Sequence, residues 1–270
     1  MQQPNVPSQS VPFNVPKLSV ISVPLPSNGK VYPIDSPLFK KENLDVREMS
    51  ANEEDLLTSV SLIRTNKAID SVISACLIDK TLDINKLIIG DRNSILIGLV
   101  LASYGSKYVA DTTCSSCKEV NKKYEFQINN LTVKELITTP VQEGTNEFSF
   151  TLPKSKLQIT FKLLTSEDEK EIQLIIDRTK SILSDKRETN VTTRLKKQIL
   201  SINGDYDKQK ISQFIDNKLM SIIDSTALRT YIDEISPDID THQEFKCFNC
   251  NFTDSIEIPI TYDFFWRSNR

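Results

Sequence analysis

Glu244-Phe245-Lys246-Cys247-Phe248-Asn249-Cys250-Asn251-Phe252, followed by Ile256, Ile258 and Ile260 at every second place, reads as strand, tight turn and strand, with two cysteines on the turn. Residues 107–130 read the same way. Lys107 to Thr113 form a strand, Cys114-Ser115-Ser116-Cys117 the turn, and Tyr124, Phe126 and Ile128 an alternating second strand. A Cys-x-x-Cys turn aims two thiolates at one point, and a structural zinc ion takes four at about 2.3 Å in a tetrahedron. One such pair is a weak signal, because thioredoxin-like redox sites also carry it. Two pairs in one strand context predict a single four-cysteine zinc site with Cys114, Cys117, Cys247 and Cys250 as ligands.

The two pairs are far apart, with 129 residues between Cys117 and Cys247. Closing a loop of that length costs about 5 kcal/mol in chain entropy. A structural zinc site contributes about 10–16 kcal/mol in peptide systems at neutral pH, so the ion prevails. Disulfides within each pair would need an oxidising compartment, and a redox role would want a thiol at a helix N-terminus. A catalytic zinc keeps an open position, usually beside histidine and a carboxylate. The one histidine, His242, lies just before the second pair's first strand, and four thiolates already close the shell. Cys76 falls on the apolar stripe of a helix and reads as a core thiol.

Working outward, the expected fold class is α+β, helical domains combined with a small β zinc ribbon assembled from the two distant knuckles. Residues 1–45 hold eight of the twelve prolines and read as an extended arm, because proline fixes φ and lacks an N–H. A solvated tail and an arm that orders on a neighbour both stay open for it. Residues 46–106 read as a helical domain. Ser50 and Glu53 form a capping box ahead of Leu56, Leu57, Val60 and Ile63, and a second helix carries Ala68 to Leu77. Asp91 is the expected cap of a third helix that ends near Gly105. The ribbon takes 107–130 and 241–263, and a β-hairpin over 144–162 turns at Pro153-Lys154-Ser155.

Residues 163–240 read as an inserted helical domain. Ser166 and Glu169 make a second capping box, with Ile172, Ile175, Ile176 and Leu183 as its stripe. Leu195, Ile199 and Ile202 mark the next helix, Asp207 caps one with Ile211, Phe214, Ile215 and Leu219, and Leu228, Tyr231 and Ile232 belong to the last. Residues 264–270 form an aromatic tail, Phe264-Phe265-Trp266, suited either to an interface or to folding back on the ribbon.

A net charge of −3 without a basic stripe argues against nucleic-acid binding, although a zinc-ribbon nucleic-acid or transcription module is the alternative class. The most apolar run, Ile95 to Ala102, is too short for a bilayer, and no secretory leader is evident. No glycine-rich phosphate loop is present and no catalytic residues are predicted.

Leu25-Pro26-Ser27-Asn28-Gly29-Lys30-Val31-Tyr32-Pro33, Met49 to Leu57, Tyr104 to Tyr108, the second Cys-x-x-Cys with Ile256 to Ile260, and Phe264-Phe265-Trp266 stand in a distinctive order. Together they resemble the baseplate hub proteins of T-even-type contractile-tailed phages, over nearly the whole chain. The knuckles depart from the usual pattern in lacking proline and glycine, which touches their turn geometry and not their ligands. The resemblance implies a non-enzymatic structural or assembly part in the virion's tail baseplate, assembled in the host cytoplasm. It also implies other baseplate and tail proteins as partners, with self-association open and no nucleic acid or membrane involved.

Overall fold

The computed structural model of the protein describes residues 18–65, 67–182 and 190–258. The expectations for residues 1–17, Leu183 and the tail 264–270 lie outside those residues, as does the end of the ribbon span, 259–263.

The chain is mixed helix and small sheets, and its first departure from expectation is at residues 18–45. These are not an arm. Strand β1 (Val20–Pro24) pairs antiparallel with β2 (Asn43–Arg47), and Val23, Leu25, Val31, Tyr32, Leu38 and Leu44 are buried. The prolines fall where a ladder needs no donor, Pro24 at the last place of β1 and the rest among turns. Helix α4 (Ile89–Tyr104) lies against β1 at Gly98, where a Cβ would come within 2.4 Å of the Val23 side chain.

Asp91 does not cap α4. It stands in the first turn, fully buried, and accepts hydrogen bonds from Ser27 N (2.9 Å), Ser27 Oγ (2.6 Å) and Tyr32 Oη (2.5 Å). Tyr32 Oη in turn accepts the N–H of Ile88 (3.2 Å). Burial pushes this carboxyl above its ordinary value, while the three donors pull the other way. A buried carboxylate with no partner would cost several kcal/mol, so the loop around Ser27 and Tyr32 has one place to sit.

The capping box at Ser50 and Glu53 is present at the start of α1 (Ala51–Thr58). Glu53 also takes Arg47 in a two-pronged pair (3.0 and 2.7 Å), and Arg47 donates to the carbonyl of Ala75 (3.1 Å). The helix expected to run through Ile63 breaks at Ser59, extended at φ −66° and ψ 109°, and resumes as α2 (Val60–Arg64). The hydroxyl of Thr58 competes for the last carbonyls, Glu54 O and Asp55 O. Helix α3 (Ala68–Cys76) buries Val72, Ile73 and Cys76.

Further along, β3 (Lys107–Thr113) pairs with β4 (Val120–Gln127), and β5 (Thr132–Lys134) waits for a late partner. Strands β6 (Phe148–Thr151) and β7 (Gln158–Phe161) make the expected hairpin. Helix α5 (Ser166–Ile182) is capped one residue earlier than expected. Thr165 and Asp168 exchange side-chain and backbone bonds (3.1 and 3.3 Å), while Ser166 Oγ donates to Leu87 O. After α6 (Asn190–Gln198) the chain does not stay helical. Ile199–Ile202 is strand β8, the third of the β6–β7 sheet, with Ile199 and Ser201 turned inward. Isoleucines three apart share one face of a helix, whereas on a strand only one of the two turns inward, and pairing with β7 makes this segment a strand with Ser201 beside Ile199 on the inner face.

Helix α7 (Lys208–Asp216) is capped by Asp207, and α8 (Ile222–Ile235) by Ser221. Leu219 lies beyond α7 and is exposed. Next, β9 (Asp238–Asp240) pairs with β5, ahead of β10 (His242–Lys246) and β11 (Thr253–Glu257), which pair with each other. One cluster of buried side chains runs from Val23 to Ile258 and includes residues of both helical segments. Asp70 joins α3 to α4 and α5 by accepting from Arg92 (2.9 Å) and forming an ion pair with Lys170 (2.5 Å). No helix among the described residues is long and apolar enough to cross a membrane.

Candidate metal centre

Both knuckles are built alike. At the first, Cys114 N donates to Glu119 O (2.9 Å) and Lys118 N to Cys114 O (3.0 Å). At the second, Cys247 N donates to Phe252 O (2.9 Å) and Asn251 N to Cys247 O (3.0 Å). The turn closes only if the residue after the second cysteine is left-handed, and Lys118 (φ 62°) and Asn251 (φ 58°) both are. Most such turns would use glycine, since a Cβ there costs about 1–2 kcal/mol.

The two hairpins bring all four sulfurs together. Cys114, Cys117, Cys247 and Cys250 have their Sγ atoms within 4.8 Å of one another. The contacts cross between knuckles: Cys114 to Cys250 is 3.7 Å, and Cys117 to Cys247 is 3.7 Å. A tetrahedron of thiolates with 2.3 Å arms has edges of about 3.8 Å, so the two cross-knuckle contacts match such an edge and the cluster is compatible with a metal ion. Cys114 and Cys247 are buried, whereas Cys117 and Cys250 face solvent. Sequence reasoning grouped these four, and they are the residues brought together. His242 stands at the far end of β10 with its ring on Asp240 (2.8 Å), and Cys76 is sealed in the main core.

Electrostatics favour thiolate at Cys247 and Cys117. The N–H of Cys250 first, then the Asn121 amide and the Asn249 N–H, outweigh burial and hold the Cys247 thiol down to about 6. The N–H of Glu119 lowers Cys117. Cys250 is pushed up to about 11: the N–H of Phe252 pulls it down, but burial and the three neighbouring sulfurs outweigh that pull. Protons are thus shared within the cluster, and a divalent cation would displace them together.

Two residues missed from sequence complete the centre. Asn121, buried, donates to Cys247 Sγ (3.5 Å) and accepts the N–H of Phe248 (2.7 Å). Asp254 accepts from Ser115 Oγ (2.6 Å). Each lies seven residues after the first cysteine of its knuckle, and each binds the residue that follows the first cysteine of the other. That repeat was a readable signal. Tyr124 packs against Phe245 (4.9 Å) and Phe248 (5.3 Å) and accepts the N–H of Lys246 (3.1 Å), so aromatic contact supports the same joint.

Four thiolates satisfy a tetrahedral ion and leave no position for a substrate, so this arrangement can hold a fold and does not activate water. Comparison with known proteins agrees with a structural reading. The family model described as T4 bacteriophage base plate protein matches residues 19–266. No curated protein and no solved structure matches the chain. The chain belongs to the T4 bacteriophage base plate protein family.

Proposed function

We propose that this base plate protein is a non-enzymatic structural or assembly component of the hub region of a contractile tail. In this reading four cysteines hold one structural zinc ion and the chain acts through contacts with other baseplate proteins. The family match supports the tail location, and the spacing of the four sulfurs carries the zinc reading. Cys114, Cys117, Cys247 and Cys250 would be the ligands. Bound there, the ion would add four bonds across a joint that also holds a small apolar cluster of Cys114, Phe245 and Cys247. The chain's own residues do the rest: Asn121 and Asp254 fix the two turns against each other, and Tyr124 fills the space between them.

Metal analysis of protein purified without chelator should find one zinc per chain. Cys117→Ser or Cys250→Ser should lose both the metal and the folded ribbon, because binding free energy here is folding free energy. A folded chain without metal would remove the zinc reading. Co-purification from infected cells should place the chain with tail proteins of the hub; recovery only with outer baseplate components would remove the hub assignment.

A further inference from the structure

Three stretches of chain, 31–38, 81–88 and 162–168, border a cleft of about 500 Å³ that shares no residue with the metal centre. Val31-Tyr32-Pro33, the end of the first motif singled out in the sequence, lines part of it. Its floor is apolar, with Val31, Leu38 and Ile88 buried there beside the Tyr32 ring, and the more exposed Pro33, Pro37 and Leu82 flank them. Bonds between the three stretches hold the cleft in shape. Tyr32 Oη accepts the Ile88 N–H (3.2 Å), Ser166 N donates to Leu87 O (2.8 Å), and Lys170 Nζ on α5 donates to Asn85 Oδ1 (2.7 Å). A ligand would meet a formed site, so little of its binding free energy would go into ordering the protein.

The rim of the cleft is acidic. Asp35, Asp83 and Glu167 stand exposed along it, and none of the three is in an ion pair among the described residues. One lysine of the lining, Lys86, is free to answer them. The other, Lys162, is turned to Asp168 (2.8 and 2.6 Å). The first turn of α5 does not present bare amides to an anion, because Ser166 N, Asp168 N and Glu169 N are bonded to Leu87 O, Thr165 Oγ1 and Thr165 O. An apolar floor under a negative rim is complementary to an apolar side chain with cations beside it, and the aliphatic stems of lysine and arginine can cover the flanking apolar surface.

We propose that this cleft docks a short basic segment of a partner protein, with one apolar side chain on the floor and lysine or arginine beside it at the rim carboxylates. The inference rests on the reading that the chain acts through protein contacts, and it needs neither the zinc ion nor the hub location.

The probe is the capped tripeptide acetyl-Lys-Leu-Lys-amide, titrated into the full chain and followed through the protein's backbone amide NMR signals. Shifts should concentrate in residues 31–38, 81–88 and 162–168, and the affinity should fall as salt is raised. Asp35→Asn combined with Glu167→Gln should weaken binding about fivefold, the effect of losing two exposed ion pairs. Unchanged signals from the two knuckles in that variant separate a lost contact from a folding defect. Acetyl-Gln-Leu-Gln-amide and acetyl-Lys-Gly-Lys-amide should both bind more weakly, since one lacks the cations and the other the apolar side chain. No shift at millimolar probe, equal binding of the three peptides, or unchanged affinity in the double variant would overturn the proposal. So would shifts of the same amides on concentrating the protein alone, which would make a second copy the occupant. Failure of the peptides and failure to co-purify with tail proteins are separate outcomes: the first removes the cleft's role, the second the hub reading.

Discussion

Asn121 on β4 donates its side-chain amide to Cys247 Sγ at 3.5 Å, so the first hairpin holds a sulfur of the second knuckle across 126 residues of sequence. The same side chain accepts the Phe248 N–H, which leaves no freedom to turn the amide around. Asn121→Asp keeps the acceptor, removes the donor and adds negative charge beside thiolates. Metal affinity should fall about 10–100-fold, as for other outer partners of metal ligands. Competition with a chromophoric chelator measures this, and unchanged affinity would reduce Asn121 to packing.

Lys118 holds φ at 62° without glycine's freedom, and its ammonium makes an exposed bond to Ser115 O (2.7 Å) that contributes little. Lys118→Gly should therefore stabilise the metal-loaded protein by about 1 kcal/mol. Asn251→Gly should gain less, because asparagine tolerates the left-handed region. Denaturant midpoints in excess zinc compare the two. A loss of stability in Lys118→Gly would mean that the turn gains more from its side chain than it loses to strain.

The cysteine cluster was legible because the two knuckles repeat one local pattern, and zinc-type spacing needs nothing from the intervening chain. Ser50, Glu53 and Asp207 were legible for a like reason, since a cap is decided within four residues. Asp91 also sits in a helix first turn, yet its partners Ser27 and Tyr32 lie 64 and 59 residues away, and no local rule finds them. Ile199 and Ile202 were misread because their spacing of three is a helical one, and the strand that forms instead is fixed by pairing with β7, with the polar Ser201 on its inner face. The proline-rich stretch misled similarly: prolines exclude a helix, but they do not exclude the edge pairing and turns that bury Leu25 and Tyr32.

Arg47 and Ser50 together hold the Glu53 carboxyl down to about 2, from an ordinary 4.5, and burial opposes them only in part. A depressed carboxyl contributes its stability in full above the unfolded value and loses it as pH falls through the folded one. Stability should therefore drop as pH falls from about 4.5 towards about 2. Glu53→Gln should cost about 1–3 kcal/mol at neutral pH and flatten that acid limb. Thermal melts of both proteins across the acid range test this. Parallel curves would show that other carboxyls carry the limb.

Asp91 gathers three donors within the core, and the consequences of removing each partner differ in kind. Asp91→Leu strands the Ser27 N–H, the Ser27 hydroxyl and the Tyr32 hydroxyl in a place water does not reach. Its cost should be about 3–5 kcal/mol, the range for breaking a buried charged cluster from one side. Tyr32→Phe keeps the ring, frees the Ile88 N–H at the start of α4, and leaves the carboxylate two donors. Its cost should be smaller, about 1–3 kcal/mol. Both should speed amide exchange in residues 25–40 before they touch the knuckles, because this loop is tied to α4 at Asp91 while the hairpins have their own joint. Hydrogen exchange resolved by segment distinguishes the two regions. Equal loss of protection in both would mean that the core and the metal centre open as one unit, and that Asp91 secures the whole chain instead of one loop.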